Sequence, residues 1–123
     1  MKKILLVDDS KDIHKILEAL IRKSFKVDFL IASAHSGNEA LAVLSQNSFD
    51  IIICDLEMKD GDGIFLLRAL ESLRVESPFV FFTSTPENAP RVNQGILKAV
   101  VSKAAPREIV LEIEKYLEVF ANG

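Results

Sequence analysis

The chain reads as an open α/β fold with a parallel sheet, on three observations. Five short apolar runs alternate with stretches that suit helices, and 49% of the 123 residues are hydrophobic, enough for one ordinary core. Acidic residues end two of the runs: Asp8-Asp9 follows Ile4-Leu5-Leu6-Val7, and Asp55 follows Ile51-Ile52-Ile53-Cys54. Strands that are apolar along their whole length are buried on both faces, as parallel strands are, and ligand sites in such sheets gather outside the strands' carboxyl ends. Asp8, Asp9 and Asp55 are therefore expected in one carboxylate cluster, although the sequence holds them far apart.

Taken in order, strands are expected at 3–7, 27–32, 50–54, 78–82 and 99–102. The first helix starts behind a Ser10 cap, with Ile13, Ile16, Leu17, Leu20 and Ile21 on one buried stripe. Ser36-Gly37-Asn38-Glu39 has the form of a capping box opening the second helix, whose apolar side is Ala40, Leu41 and Leu44. Leu66, Ala69, Leu70 and Leu73 mark the third. Between the fourth and fifth strands Thr85-Pro86-Glu87-Asn88-Ala89-Pro90 carries two prolines and the following stretch gives way at Gly95, so the fourth helix, from about Pro90, is expected to be short. The last helix begins at Pro106, where a missing N–H costs nothing, and shows Ile109, Ile113, Tyr116, Leu117 and Phe120 on one stripe. The whole of 1–123 is expected to form one domain, with no repeat or linker.

Composition narrows the function. A formal charge of −3 with scattered Lys and Arg gives no basic footprint, so direct binding to nucleic acid or an anionic membrane is not expected. One cysteine, Cys54, allows no internal disulfide and reads as a small core hydrophobe; without a signal-peptide or membrane-span pattern, the cytoplasm is the expected location.

Three carboxylates brought close together repel one another unless a cation neutralises them. Mg²⁺ takes oxygen ligands and commonly binds one or two carboxylates together with phosphate oxygens, so Asp8, Asp9 and Asp55 with a nearby backbone carbonyl suit it. With its charge screened, the Asp55 carboxylate can attack an incoming phosphoryl group and form an aspartyl phosphate. Thr83 and Lys103, both expected at strand ends, supply a hydroxyl donor and an ammonium for the oxygens of that group.

These residues stand in the stretches Leu5-Leu6-Val7-Asp8-Asp9-Ser10, Asp55-Leu56-Glu57-Met58-Lys59-Asp60-Gly61-Asp62-Gly63 and Phe82-Thr83-Ser84. In them the chain resembles, over nearly its whole length, a response-regulator receiver domain of two-component signalling. The resemblance implies a flavodoxin-like, doubly wound sheet of five strands in the order 2-1-3-4-5 with five helices. It implies Asp55 as phosphoacceptor, Asp8 and Asp9 holding Mg²⁺ with the Glu57 carbonyl, and Thr83 as the switch hydroxyl. It further implies a histidine kinase or phosphotransfer protein as donor, a downstream protein target, and no turnover of a separate substrate.

The chain departs from the family's pattern in four places. Lys59 stands where proline is usual. Lys103 is followed by Ala104, whereas the family's lysine precedes a cis proline; a cis bond before a non-proline costs roughly 2.5 to 4 kcal/mol and is not expected. The aromatic residue that usually accompanies the switch is Val100 or Ala99. Counting without gaps between Gly95 and Pro106-Arg107-Glu108 places Ser102, not Lys103, in the lysine position, and a one-residue slip changes which face a strand side chain takes. Lys103 is favoured because its flexible four-carbon stem can reach the site from an imperfect start.

Plainer readings exist for each signal. Asp8-Asp9 could cap a helix, Asp55 could end a turn, and Thr83 could make a local ST-turn. His14 on a surface helix is expected to be solvated rather than a phosphorylation site, His35 to be a loop residue, and Asp60 and Asp62 to be solvated loop acids, although Asp62-Gly63 also resembles the family's turn into the third helix. Competing functions are a receiver-like interaction module that has lost switching, and a phosphatase of haloacid-dehalogenase type, which wants an Asp-x-Asp pair where Glu57 stands. A dinucleotide site is disfavoured because Asp8-Asp9-Ser10-Lys11 replaces a glycine-rich loop. The sequence reads equally as a stand-alone receiver and as part of a longer regulator.

Overall fold

The computed structural model describes residues 1–92 and 95–122. Five parallel strands, β1 (Lys2–Val7), β2 (Phe29–Ala34), β3 (Ile51–Cys54), β4 (Phe79–Thr83) and β5 (Leu97–Ser102), lie in the order β2-β1-β3-β4-β5. This is the expected flavodoxin-like order. Alternating side chains feed two cores. Ile4, Leu6, Ile51, Ile53, Val80 and Phe82 face α1 (Lys11–Ser24) and α4 (Arg107–Leu117), whereas Leu5, Val7, Ile52, Cys54, Phe79 and Phe81 face α2 (Gly37–Leu44) and α3 (Gly63–Ser72). Both faces of the central strands are covered, which is why these strands are apolar throughout.

The helix starts follow their caps. Ser10 Oγ accepts from the Ile13 N–H, Ser36 Oγ from Glu39 and Asp62 Oδ1 from Phe65. The Glu39 carboxylate reaches back to the His35 N–H, one residue before the position a standard capping box would use.

Three expectations about helices need correction. Among the described residues four α-helices form, not five: between β4 and β5 there is only a 3₁₀ turn, Pro86–Asn88, and no helix in what is described after Pro90. Prolines at 86 and 90 deny backbone donors on both sides of that turn; residues 93 and 94, where part of the expected fourth helix falls, lie outside the described residues. Ile16 and Leu73, assigned to buried stripes, are exposed. Phe120 is 90% exposed because α4 ends at Leu117 and Glu118 adopts a left-handed conformation at φ 55°, turning the chain off the stripe.

One irregularity sets the register at the site. Phe79 pairs with Leu97 but Val80 pairs with Ala99, so β5 carries an extra residue, Lys98, as a bulge. Beyond it Thr83 lies opposite Ser102, and the Lys103 N–H donates to the Thr83 carbonyl at 2.9 Å.

Candidate functional site

Asp8 and Asp55 follow directly on β1 and β3, whose ends Val7 and Cys54 are register partners. The Asp55 N–H donates to the Val7 carbonyl at 2.8 Å, which ties the two acidic ends together. Asp8 and Asp55 are buried, Asp9 is exposed, and the three offer carboxylate oxygens within 4.8 Å of one another. Three hard oxygen donors at this spacing fit a divalent cation of the magnesium type.

Lys103 closes the cluster. Its ammonium lies 2.9 Å from Asp8 Oδ2 and 3.2 Å from Asp55 Oδ2. The bulge at Lys98 explains how: counted straight from the Phe79–Leu97 pair, the residue just past the strand would be Ser102, and the extra residue advances that place to Lys103. Ser102 instead shapes the turn, its Oγ accepting from the Ala104 N–H and its carbonyl from Ala105. No cis peptide occurs among the described residues, in keeping with alanine after Lys103.

Charge and burial compete here. Burial raises the Asp55 carboxyl above its usual range and the neighbouring Asp8 charge adds to this, while Lys103 and the Leu56 N–H pull it back. For Lys103, burial works against the ammonium, yet the hydrogen bonds and charges of Asp8 and Asp55 outweigh it and hold the amine above the usual lysine value. Cys54, fully buried beside them, is pushed well up by burial and then by the charges of Asp55 and Asp8, so its thiol stays unionised packing material.

Thr83 ends β4 and is buried at 1% exposure. Its Oγ1 accepts from the Thr85 N–H at 3.1 Å, the ST-turn foreseen as its plain role, and stands 3.3 Å from Thr85 Oγ1. The Thr85 hydroxyl in turn donates to the Glu57 carboxylate. Glu57 thus turns its side chain to the β4 end, an arrangement the sequence reading missed because Thr85 was read only as part of a proline-rich break.

The loop after Asp55 is held from α2. Asp60, at φ 60°, accepts from Ser36 Oγ at 3.0 Å and from Asn38 Nδ2 at 2.9 Å, and the Gly37 N–H donates to the Gly61 carbonyl at 2.7 Å. A Cβ on Gly37 would meet that carbonyl oxygen at 2.6 Å, so the two loops approach as closely as they do only with glycine there. Asp60 is therefore no free solvated acid; Asp62 is likewise the α3 cap. His14 is not solvated either. It is 8% exposed, and its Nε2 lies 2.6 Å from the Asp8 carbonyl oxygen.

A family model described as the response regulator receiver domain matches residues 4–114. The chain belongs to that family. As a receiver domain it is a phosphoacceptor switch of two-component signalling, which leaves neither the dinucleotide site nor the phosphatase reading any support. Its relatives include the transcriptional regulatory protein ResD of Bacillus subtilis, 31% identical over 94% of this chain and 48% of that protein. The response regulator SaeR of Staphylococcus aureus is 28% identical over 95% of this chain and 51% of its own. This receiver thus spans about half the length of those two regulators. Among solved structures, the fold is shared with the response regulator TrrA of Thermotoga maritima in complex with Mg²⁺ and BeF, at a TM-score of 0.81, 22% identity, and coverage of 94% of this chain and 99% of that one. Chemotaxis response regulator CheY4 of Vibrio cholerae gives 0.74 at 24% identity, covering 94% and 98%. No helix among the described residues is long and apolar enough to cross a membrane.

Proposed function

We propose that this receiver, residues 1–123, takes a phosphoryl group onto Asp55 from a histidine kinase or phosphotransfer protein and passes the change to a protein target. The observation that carries this is the convergence of Asp8, Asp9, Asp55 and Lys103 on one point at the strand ends. Asp8, Asp9 and Asp55, with the Glu57 backbone carbonyl, would hold Mg²⁺, which when bound offsets the charge of the acids and of the phosphoryl oxygens.

The remaining work falls to the chain. An Asp55 carboxylate oxygen forms the bond to phosphorus as the donor's phosphorus–nitrogen bond breaks, and the proton needed by the leaving imidazole comes from solvent. Asp55 is oriented by the Leu56 N–H at 2.8 Å and the Lys103 ammonium. Lys103 keeps its charge through the change and pairs with the new oxygens. The Thr83 hydroxyl, which otherwise shares its local turn with Thr85, rotates its hydrogen toward the phosphoryl group. Water later hydrolyses the acyl phosphate, so the protein loses its own phosphoryl group and turns over no separate substrate. The setting is cytoplasmic, where such kinases present their phosphohistidines.

Adding Mg²⁺ and beryllofluoride should shift the backbone amide signals of Asp55 and Thr83, and a small phosphodonor should add one phosphoryl group by mass to the wild type but not to Asp55→Asn. Unmoved amides, or equal phosphorylation of Asp55→Asn, would sink this assignment.

A further inference from the structure

Asp8 is held at every polar group. Its N–H donates to the Ala34 carbonyl at 3.1 Å, Oδ1 accepts from the Ser10 N–H at 2.9 Å and Oδ2 faces the Lys103 ammonium at 2.9 Å. The carbonyl lies past the end of β1, beyond its ladder with β2 and β3. A buried carbonyl needs a partner, and His14 supplies it through Nε2 at 2.6 Å.

We propose that His14 is a positioning residue for the metal-binding acids, fixing the peptide between Asp8 and Asp9 through the Asp8 carbonyl. The inference rests on reading the acidic cluster as a Mg²⁺ site. The peptide unit is planar, so the carbonyl oxygen, the Asp9 nitrogen and the α-carbons of both aspartates move as one body. Holding the oxygen therefore sets the direction from which both carboxylates enter the cluster. A carbonyl oxygen only accepts, so the ring carries a hydrogen on Nε2; Nδ1 is buried and has no hydrogen-bond partner. The ring cannot swing away freely, because it is buried in α1 and packs against the His35 ring at 4.7 Å between centroids and 48° between planes. Groups that orient metal ligands in this way are worth about 10- to 100-fold in metal affinity.

Two variants separate positioning from mere space filling. His14→Phe keeps the ring's bulk and drops the donor, whereas His14→Gln keeps an N–H donor at a similar reach and drops the ring. Mg²⁺ titrations followed by calorimetry and by the amide signals of Asp8, Asp9 and Asp55 should show about a 10-fold affinity loss in His14→Phe and most of it regained in His14→Gln. Wild-type affinity in a folded His14→Phe would overturn the proposal. Should that variant not fold, the wild type decides: nitrogen spectra of the imidazole should report the Nε2–H tautomer, with the Nε2 signal moving at the same Mg²⁺ midpoint as the Asp8 amide. An Nδ1–H tautomer or an unresponsive ring would overturn it. If Mg²⁺ moved none of the three aspartate amides in wild-type protein, the metal site itself would fall and His14's role with it; normal binding with an indifferent His14 would remove only the latter.

Discussion

The Lys103 ammonium forms an ion pair with the Asp8 carboxylate, 2.9 Å from Oδ2. Asp8 thus already has a cationic partner before any metal arrives, and the same ammonium reaches Asp55 at 3.2 Å. A divalent ion entering the cluster has to share Asp8 with a lysine.

Removing that ammonium should expose the repulsion it now offsets. Lys103→Met is expected to lose about 2 kcal/mol of stability in urea denaturation without Mg²⁺, below the range for fully buried pairs because Lys103 retains some exposure. Mg²⁺ should then stabilise the variant more than the wild type, since the ion no longer competes for Asp8. An equal increment in both proteins would show that lysine and metal do not share the carboxylate.

The pH profile has two arms. Lys103 is held above its usual value, so its contribution is present below the ordinary lysine pKa and is lost as pH rises through the raised one; alkaline unfolding should lose this dependence in Lys103→Met. Asp55 is also raised, but for an acid this means that ionisation costs the folded state. Stability falls as pH rises from the ordinary carboxylate value of about 3.9 through the raised one. Asp55→Asn should therefore be more stable than wild type at neutral pH without metal, with the difference fading as pH drops below about 4. Parallel thermal melts across this range check both arms.

Gly63 opens α3 against the site's own backbone. A Cβ there would lie 2.3 Å from the Asp55 carbonyl oxygen and 2.6 Å from Phe81 Cε1. Gly63→Ala should cost about 1–3 kcal/mol by overpacking and move the Asp55 amide signal, whereas Gly→Ala at an open helical position would stabilise. A neutral effect in denaturation would mean that the α3 start is free to shift.

Two neighbours on the last apolar stripe should differ sharply. Leu117→Ala, at 1% exposure, should cost about 2–5 kcal/mol, and Phe120→Ser, at 90%, should stay within about 0.5 kcal/mol. Similar losses from both would place Phe120 in the core after all.

The strands and two of the caps were legible because their signals are local: Ile51-Ile52-Ile53-Cys54 is buried on both faces, and Ser10 and Ser36 each accept from an N–H three residues on. The Asp8–Asp55 meeting was legible from topology, since both follow strands that are neighbours in the sheet. What escaped depends on pairs distant in sequence. Nothing around Asp60 announces Ser36 and Asn38 as its partners, nothing in α1 marks His14 as the donor to Asp8, and Thr85 gives no hint of Glu57. The apolar spacing that placed Phe120 in a helix could not register the left-handed turn at Glu118. The choice between Ser102 and Lys103 turned on one bulged residue eighteen positions after Val80, which no motif records.

That bulge gives pairing register a chemical meaning in β5. Pairing the same residues straight on from Leu97, with no bulge at Lys98, would draw Ser102 into the spot where an ammonium now stands and exchange a permanent positive charge for a neutral hydroxyl, whereas deleting Lys98 would straighten the strand and leave Lys103 in place. The pairing register of this strand, and not its residue types alone, selects the electrostatic partner that Asp8 and Asp55 meet.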